Sequence, residues 1–361
     1  MFTKILIANR GVAAVRIART LQRMGIVSVA LRTAAEKDSQ YFAAFDEVYD
    51  LIGDSVAETY LDVEQILGIA ERSKSEAIHP GYGFLSENAD FAAKVAAKGL
   101  AFLGPTPEVI NLFGLKHEAR AIARSQGVPI LSGTGILPDL AAVFSAADEV
   151  GFPLLLKSTA GGGGIGMQRC DSAQELESAF ESVTALAQSN FTSSGVYLEK
   201  CISKARHVEV QLFGDGKGEV ITLGDRDCSL QRRNQKLVEE CPAPNLPEEI
   251  RQSMHDRART LAASVNYASA GTVEFLYDAD AQEYYFLEVN TRLQVEHGVT
   301  ELVYRVDIVE WMIRLAFGDL PCSSLLEAEL KPSGAAVQVR LYAEDPYENY
   351  KPTPGEIDAS F

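Results

Sequence analysis

The sequence predicts an α/β (α+β) protein with three parts: an N-terminal domain on a parallel sheet, a small glycine-rich lid domain, and a C-terminal mixed-sheet domain. Three observations support this fold class. The chain opens with a strand–helix–strand pattern, five of the six residues at 161–166 are glycine, and the second half is rich in strand-forming residues. A chain of 361 residues is too long for one simple core, so two or three domains are expected.

The N-terminal elements alternate between strand and helix patterns. KILIAN and VSVALR are predicted strands, and GVAAVRIARTLQRMG between them is a predicted amphipathic helix. Two more helices are predicted over DVEQILGIAERS and ADFAAKVAAKG, followed by a strand at LAFLG. We therefore place an α/β domain at 1–112 and a connecting helix, over GLKHEARAIARSQGV, at 113–130.

The rest of the chain divides into a lid and a strand-rich domain. The predicted lid subdomain at 131–203 contains the glycine segment and ends with the strand GVYLEK. The predicted C-terminal domain at 204–361 contains five strand patterns: HVEVQLFGDG, GEVITLGDRD, AGTVEFLYD, EYYFLEVN and AAVQVRLYA. A proline-punctuated tail follows and ends at Phe361.

Charge and composition exclude several classes of protein. The net charge of −17 argues against general nucleic-acid binding, because phosphate backbones attract basic surfaces. No segment approaches 18 consecutive apolar residues, so no membrane span is expected. The five cysteines have no metal-ligand spacing, and an odd number fits a reduced, cytoplasmic setting.

The glycine segment KSTAGGGGIGM has two interpretations. It is either a flexible linker or a loop whose backbone N–H groups approach an anion, with Lys157 as a counter-charge. The glycines satisfy the dinucleotide pattern G-x-G-x-x-G, but that motif needs a helix to open directly at the glycines. Here MQRC reads as a strand, and the better helix start is the capping box Ser172-x-x-Glu175. The pattern therefore predicts a strand–glycine turn–strand flap.

Two glutamates on a predicted hairpin suggest a metal site. If Asp278 pairs with Tyr284, Glu274 lies directly opposite Glu288, and Asn290 follows on the same face. Opposed like charges destabilise a sheet, whereas two carboxylates and an amide oxygen suit Mg²⁺. The alternative is a solvated polar face, which the irregular alternation of the flanking residues disfavours.

The polar run after the hairpin predicts an anion pocket. Arg292, Gln294 and Glu296 alternate with Leu293 and Val295, so in a strand the polar side chains would share one face. An arginine offers a fork for a planar oxyanion, and a neighbouring carboxylate can act as a general base. A surface strand with a salt bridge is the alternative, which the density of polar residues makes the weaker one.

Many ordered motifs together resemble those of one enzyme family. NRG, HPGYGFLSEN, KSTAGGGGIGM, VYLEK, RHVEVQ, RDCSLQRRNQK, GTVEF, FLEVNTRLQVEH and VRLYAEDP are similar to the biotin carboxylase component of biotin-dependent carboxylases. The resemblance covers essentially the whole chain and implies an ATP-grasp fold with a Rossmann-like N-terminal domain. It also implies that 204–361 is a catalytic domain that is incomplete at Phe361, because related domains continue beyond this point. Within the family, GLKHEAR, the STAGGGGIGM loop, Asn234 and Gly298 resemble the urea carboxylase branch (urea amidolyase).

The resemblance implies a role for each candidate residue. It assigns the nucleotide phosphates to Lys116 and Lys157, with Gly161, Gly162, Gly163, Gly164 and Gly166 as the lid loop. It assigns the adenine pocket to Glu199, Lys200 and Ile202, and the ribose surroundings to His207, Gln231 and Asn234. It assigns Mg²⁺ or Mn²⁺ to Glu274, Glu288 and Asn290. It assigns bicarbonate to Lys236, Arg292, Gln294 and the Val295 backbone, with Glu296 as base and Arg340 stabilising the biotin enolate. Cys228 is expected to be a packing residue.

The resemblance also implies partners and leaves alternatives open. ATP, the metal ion and bicarbonate would act here, while a biotin carrier domain, a carboxyltransferase and a homodimeric partner would complete the enzyme. Rival functions are another ATP-grasp ligase joining a carboxylate to an amine, which Arg292, Glu296 and Arg340 disfavour, and a nucleotide-binding module without catalysis. The final carboxyl acceptor stays open between urea, guanidine and another small amide-like compound.

Overall fold

The computed structural model describes residues 1–158, 166–190, 195–202, 204–320 and 330–355. Its N-terminal part is a five-stranded parallel sheet in the order β3-β2-β1-β4-β5, as the opening pattern predicts. The strands are β1 (Lys4–Ile7), β2 (Val27–Arg32), β3 (Glu47–Asp50), β4 (Ala77–His79) and β5 (Ala101–Phe102). The helices are α1 (Gly11–Met24), α2 (Val63–Ser73) and α3 (Ala89–Ala97). Asp62 and Asn88 cap α2 and α3 by accepting backbone N–H bonds, which fixes where these helices begin.

Two consecutive helices connect this sheet to the lid. The predicted connecting helix is α5 (Lys116–Ser125), and it is preceded by α4 (Pro107–Gly114), which the sequence pattern did not reveal. Thr106 caps α4 through the N–H of Val109, and Pro107 fits the first turn because its missing N–H needs no partner there.

The lid is a three-stranded antiparallel sheet with two helices. It contains α6 (Leu140–Val150), β6 (Leu154–Ser158), β7 (Met167–Cys170), α7 (Ala173–Asn190) and β8 (Val196–Lys200), with β6 in the centre. The carbonyl of Gly166 accepts the Ser158 N–H at 2.8 Å and joins β6 to β7. MQRC is thus a strand, as predicted, and α7 begins directly after Ser172. Gly161, Gly162, Gly163 and Gly164 lie outside the described residues.

The second half forms a six-stranded sheet in the order β13-β12-β9-β10-β11-β14. Its strands are β9 (Ala205–Asp215), β10 (Val220–Arg232), β11 (Gln235–Cys241), β12 (Ala268–Asp278), β13 (Glu283–Asn290) and β14 (Ala336–Val339). All five pairings between these strands are antiparallel, and an isolated bridge from Ile130 to Phe286 of β13 adds a parallel contact, so the sheet is mixed, as predicted. The strands follow each other through hairpins and returning connections, which reverse direction at each neighbouring pair. Three helices, α8 (Glu248–Ala263), α9 (His297–Tyr304) and α10 (Ile308–Phe317), and the small pair β15 (Glu344–Asp345) and β16 (Lys351–Pro352) complete the elements.

One hydrophobic cluster joins the parallel sheet to the six-stranded sheet. It combines Ile5 and Ile7 of β1 with Phe213 of β9 and Met312 of α10. Arg16 of α1 adds ion pairs to Glu301 and Asp307 at 2.7 and 3.0 Å. The N-terminal part therefore packs directly against the second half, while the predicted divisions at 112/113, 130/131 and 203/204 stay predictions. Within the described residues no helix is both long and apolar enough to cross a bilayer.

Candidate active site

The β12–β13 hairpin brings the predicted metal ligands together. Glu274 pairs with Glu288, as predicted, but the expected pairing of Asp278 with Tyr284 was wrong because Asp278 pairs with Glu283. The register shifts by one residue between Glu274 and Phe275, so β13 contains one extra residue, Leu287, at this point. This bulge is what places the two glutamates opposite each other.

Lys236 of β11 lies at the centre of a buried group of carboxylates. Its Nζ is 2.6 Å from Glu209, 2.9 Å from Glu274 and 2.8 Å from Glu296. Burial alone would lower the pKa of Lys236, but the surrounding carboxylates outweigh it and hold the pKa well above 10.5. Lys236 therefore stays cationic and joins β9, β12 and the loop before α9 at one point.

The carboxylates of Glu274 and Glu288 have opposite environments. Burial would raise the pKa of Glu274, but Lys236 and His207, whose Nε2 lies 2.8 Å away, outweigh it and lower the pKa. Burial raises the pKa of Glu288, and the nearby charge of Glu274 raises it further. Glu288 thus lacks a cation strong enough to offset these two effects.

This donor set fits a hard divalent cation. A cation between Glu274 and Glu288 would relieve both the burial and the repulsion that raise the pKa of Glu288. Asn290 is 7% exposed, donates to Glu274 at 2.7 Å and offers its own oxygen, which accepts from Arg292 at 3.1 Å. Two other groups of His, Cys and Glu side chains lie close together in the described residues, but both include Glu209, which Lys236 and Arg226 already neutralise.

Residues 291–296 form a loop, so the prediction of a continuing alternate strand was wrong. The strand β13 ends at Asn290 because the next N–H, of Thr291, donates to the Glu87 carboxylate at 3.2 Å and not to a neighbouring strand. The chain then turns, with the His297 N–H bonded to the Gln294 carbonyl at 3.3 Å, and enters α9. The expected separation of side chains is nevertheless present, since Leu293 packs in the hydrophobic cluster.

The polar side chains of this loop contact one another and Arg340, which directly follows β14. Arg292 donates to Gln294 at 2.9 Å and to Glu87 at 2.8 Å. Glu296, which is fully buried, accepts from Lys236 and, at 3.0 Å, from Arg340. The predicted base and the predicted biotin-site arginine are therefore in direct contact. Val295 is half-buried in the same loop.

The predicted nucleotide side of the site contains a compact group of charged side chains between the lid and α5. The Glu199 carboxylate accepts from both Lys157 and Arg120, and all three side chains are almost completely buried. Burial, together with the charges of Lys116 and Arg120, lowers the pKa of Lys157 to about 7. The excess of positive charge here favours an anion such as a phosphate group.

Other predicted nucleotide residues take different positions. Gln231 lies 2.9 Å from His207 and beside the metal-site carboxylates. Lys200 turns its amine to the carbonyls of Gly151 and Phe152, both at 3.0 Å, so its side chain faces the start of β6; the half-buried Ile202 follows it. Asn234 is exposed in the β10–β11 turn with φ +64°, apart from this cluster.

Sequence reasoning missed several residues of the site. Glu209 and Gln211 follow His207 at alternate positions of β9, so period two alone identifies them as sharing its face. Arg120 lies one helical turn after Lys116 on α5, which also places it on the same side. Arg226, fully buried and bonded to Glu209, Gln211, Thr272 and Thr300, gave no such signal, because a charged residue in a strand usually faces solvent.

Comparison with known proteins agrees with this geometry. The family model "Biotin carboxylase, N-terminal domain" matches residues 1–110, and "Carbamoyl-phosphate synthase L chain, ATP binding domain" matches residues 116–321. The chain is 49% identical over 362 residues to urea amidolyase of Saccharomyces cerevisiae, covering 100% of this chain and 20% of that protein. It is 45% identical over 361 residues to biotin carboxylase 2 of Bacillus subtilis, covering 99% and 80%.

Solved structures give the same result. A biotin carboxylase complex from Campylobacter jejuni superposes with a TM-score of 0.94 at 41% identity, covering 99% of this chain and 80% of that chain. The biotin carboxylase domain of Hydrogenobacter thermophilus 2-oxoglutarate carboxylase, solved with MgADP and bicarbonate, gives 0.92 at 40% identity and the same coverage. The chain thus spans about a fifth of the urea amidolyase and about four fifths of the biotin carboxylases. On the identity and coverage of these biotin carboxylases, together with the two family models, the chain belongs to the biotin carboxylase family.

Proposed function

We propose that this chain is an ATP-dependent ligase that carboxylates biotin with bicarbonate, as the first half-reaction of a urea carboxylase-type enzyme. The observation that carries the proposal is the meeting of Lys236, Glu274, Glu296 and Arg340 at one buried point. This point brings together the groups that the reaction needs: the metal ligand Glu274, the anion-binding Lys236, the base Glu296 and the biotin-site Arg340.

The reaction assigned to this site has three balanced steps. An oxygen of bicarbonate attacks the γ-phosphorus of ATP, so the bond to ADP breaks and carboxyphosphate forms. Carboxyphosphate then separates into CO₂ and phosphate. The ureido nitrogen of biotin gives its proton to the released phosphate and forms a C–N bond with CO₂. Most of the protein's contribution to such transfer is positioning and charge neutralisation.

The chain's own residues divide this work. Lys236, Arg292, Gln294 and the Val295 backbone hold bicarbonate, and Glu296 accepts its proton as it attacks. Arg340 stabilises the negative charge on the deprotonated ureido group of biotin. Lys116, Lys157 and the glycine loop 161–166 bind the phosphates, Glu199, Lys200 and Ile202 surround the adenine, and His207, Gln231 and Asn234 surround the ribose. Mg²⁺ or Mn²⁺, held by Glu274, Glu288 and Asn290, supplies Lewis-acid neutralisation of the phosphates.

The wider assembly is part of the proposal. The carboxylated biotin would sit on a carrier domain and deliver its carboxyl group in a carboxyltransferase, with urea as acceptor in a cytoplasmic enzyme. Support for this branch is the 49% identity to a urea amidolyase against 45% to a bacterial biotin carboxylase. A homodimer is proposed as well, because the related domain from Hydrogenobacter thermophilus is described as a dimer.

Phosphate release from ATP tests the function. Hydrolysis should require bicarbonate, increase with free biotin and be unaffected by urea, because the proposed acceptor binds in the carboxyltransferase and not in this site. Arg292→Ala should remove the bicarbonate-dependent activity, and Glu296→Ala should lower turnover by about a hundredfold or more while sparing nucleotide binding.

Arg72→Ala is the matched control, since Arg72 is exposed on α2. It should behave as wild type. Hydrolysis that needs no bicarbonate, or that urea stimulates in this chain, would overturn the proposal.

A further inference from the structure

Glu87 of the N-terminal part reaches across to the loop that follows β13. It lies just before α3, and its two carboxylate oxygens accept from two consecutive residues of that loop. One oxygen accepts the Thr291 N–H at 3.2 Å, and the other accepts Nε of Arg292 at 2.8 Å. A single side chain therefore fixes both the backbone and the guanidinium at this point.

The remaining donors of Arg292 show what this contact achieves. Nη1 donates to the Gln294 amide oxygen at 2.9 Å and to the Leu293 carbonyl at 3.2 Å, and Nη2 donates to Asn290 at 3.1 Å. A guanidinium has five N–H donors, so four are occupied, and one N–H of Nη2 has no partner among the described residues. Glu87 holds the Nε edge, which sets the plane of the guanidinium and the direction of the remaining donor.

Charge supports the same arrangement. Burial would lower the pKa of Arg292, but the carboxylates of Glu87, Glu296 and Glu274 together outweigh it and raise the pKa, with Glu87 contributing most among them. Glu87 has a 42% exposed side chain, whereas that of Arg292 is 18% exposed, so the carboxylate approaches from the solvent side of the site. Glu87 also acts on Glu288, whose pKa its charge helps to raise.

We propose that Glu87 is a positioning residue that aligns Arg292 for the small anionic second substrate. The inference rests on the proposed function, in which Arg292 holds bicarbonate. The competing role is that of a further metal ligand beside Glu288, and it predicts a different kinetic signature.

Glu87→Gln keeps the shape of the side chain but has only one acceptor oxygen for two donors. We expect the KM for bicarbonate to rise by about tenfold, as for the loss of one charge-assisted hydrogen bond, with the KM for MgATP and the Mg²⁺ dependence within twofold of wild type. Glu87→Asp, which keeps the charge but is one methylene shorter, should show the same selective rise. Glu71→Gln, exposed in the same part of the chain, is the control and should change none of these.

An unchanged KM for bicarbonate in Glu87→Gln overturns the proposal, and so does an equal weakening of Mg²⁺, which would make Glu87 a metal ligand. A second measurement does not depend on activity: the ¹⁵N–¹H signal of the Arg292 Nε–H, assigned with Arg292→Lys. It should be protected from exchange in wild type and Glu71→Gln and lost in Glu87→Ala, which has no acceptor for this N–H. If wild-type hydrolysis needs no bicarbonate, the proposed function fails, and this signal still decides the contact: persistence in Glu87→Ala overturns it.

Discussion

Glu288 has an environment that differs from that of a glutamate on a surface strand. Its pKa is raised above 4.5 by burial and by Glu274. Between pH 4.5 and the raised pKa the folded state holds a proton that the unfolded state has lost, so stability falls as pH rises through this window. The stabilising contribution of the protonated form is complete below pH 4.5 and is lost above the raised pKa.

Replacing Glu288 with glutamine should therefore stabilise the metal-free protein at neutral pH. We expect the free energy of unfolding in urea to increase at neutral pH, because glutamine buries no charge beside Glu274, with no gain at pH 4. Mg-nucleotide should raise the melting temperature of wild type, by preferential binding to the folded state, and do so far less in Glu288→Gln.

Glu283→Gln is the control on the same strand, because Glu283 is exposed. It should leave both the pH dependence and the nucleotide effect unchanged. A thermal shift in Glu288→Gln as large as that of wild type would remove Glu288 from the metal site.

At the scale of elements, the local sequence pattern predicted the secondary structure correctly where it depends on that segment alone. VSVALR is a strand from Val27 to Arg32, and MQRC is a strand from Met167 to Cys170, at the predicted residues. The opposition of Glu274 and Glu288 was also predictable, although the register assumed for it was wrong. A bulge leaves no clear trace in hydrophobic alternation, because it changes the count on one strand only.

Where the sequence patterns failed, the cause was mostly a contact with a distant part of the chain. VNTRLQV alternates like a strand, yet Thr291 bonds to Glu87, some 200 positions earlier in the chain, and the segment becomes a loop. The helix α4 has eight residues, with Glu108 and Asn111 exposed and most of its apolar residues buried, and so short a segment gives only a weak periodic signal. The site residue Arg226 is a similar case, because its partners lie on β9 and α9 and are not visible in local sequence.

Arg120 connects the helix α5 to the lid, so replacing it should change how the lid binds a phosphate. Arg120 contacts the Glu199 carboxylate of β8 and donates to the Leu131 carbonyl at 3.0 Å. In Arg120→Met, Lys157 becomes the sole partner of Glu199 within this group and is less available to a phosphate. We expect MgADP to bind about tenfold more weakly by calorimetry, with adenosine, which has no phosphates, within twofold of wild type.

Arg124→Met provides the comparison, since Arg124 is exposed one turn later on α5. It should bind MgADP as wild type does. An equal loss for MgADP and adenosine would show that Arg120 shapes the lid in general and does not release Lys157.

For the whole molecule, the hydrophobic cluster shared by β1, β9 and α10 links the stability of distant segments. Met312 is 2% exposed in this cluster, and Trp311 beside it stacks edge-on against Phe213 with ring centroids 5.5 Å apart. Large chains often unfold in separate units. Because β1 and β9 share this cluster, we expect them to unfold together.

Met312→Ala should lower stability by about 2–5 kcal/mol, the usual cost of such a truncation in a core. By hydrogen exchange, protection of β1 and β9 should fall together, while β6 and β8 of the lid, which belong to another cluster, should keep theirs. Leu302→Ala, at a 72% exposed position, is the control. Loss of protection in β9 alone would show that the N-terminal part is stabilised independently.

The three carboxylates around Lys236 have a consequence for how tightly the site can hold a small anion. Glu209, Glu274 and Glu296 are competitors tethered within 3 Å of the amine, so a free anion must displace ligands whose effective concentration is far above that of any solute. The free energy of binding a free anion is therefore the difference between its own contact with Lys236 and the carboxylate contact that it displaces. Because the competitors are attached to the protein, dilution does not remove them. Weak saturation by bicarbonate is thus expected even from an anion pocket that is fully formed.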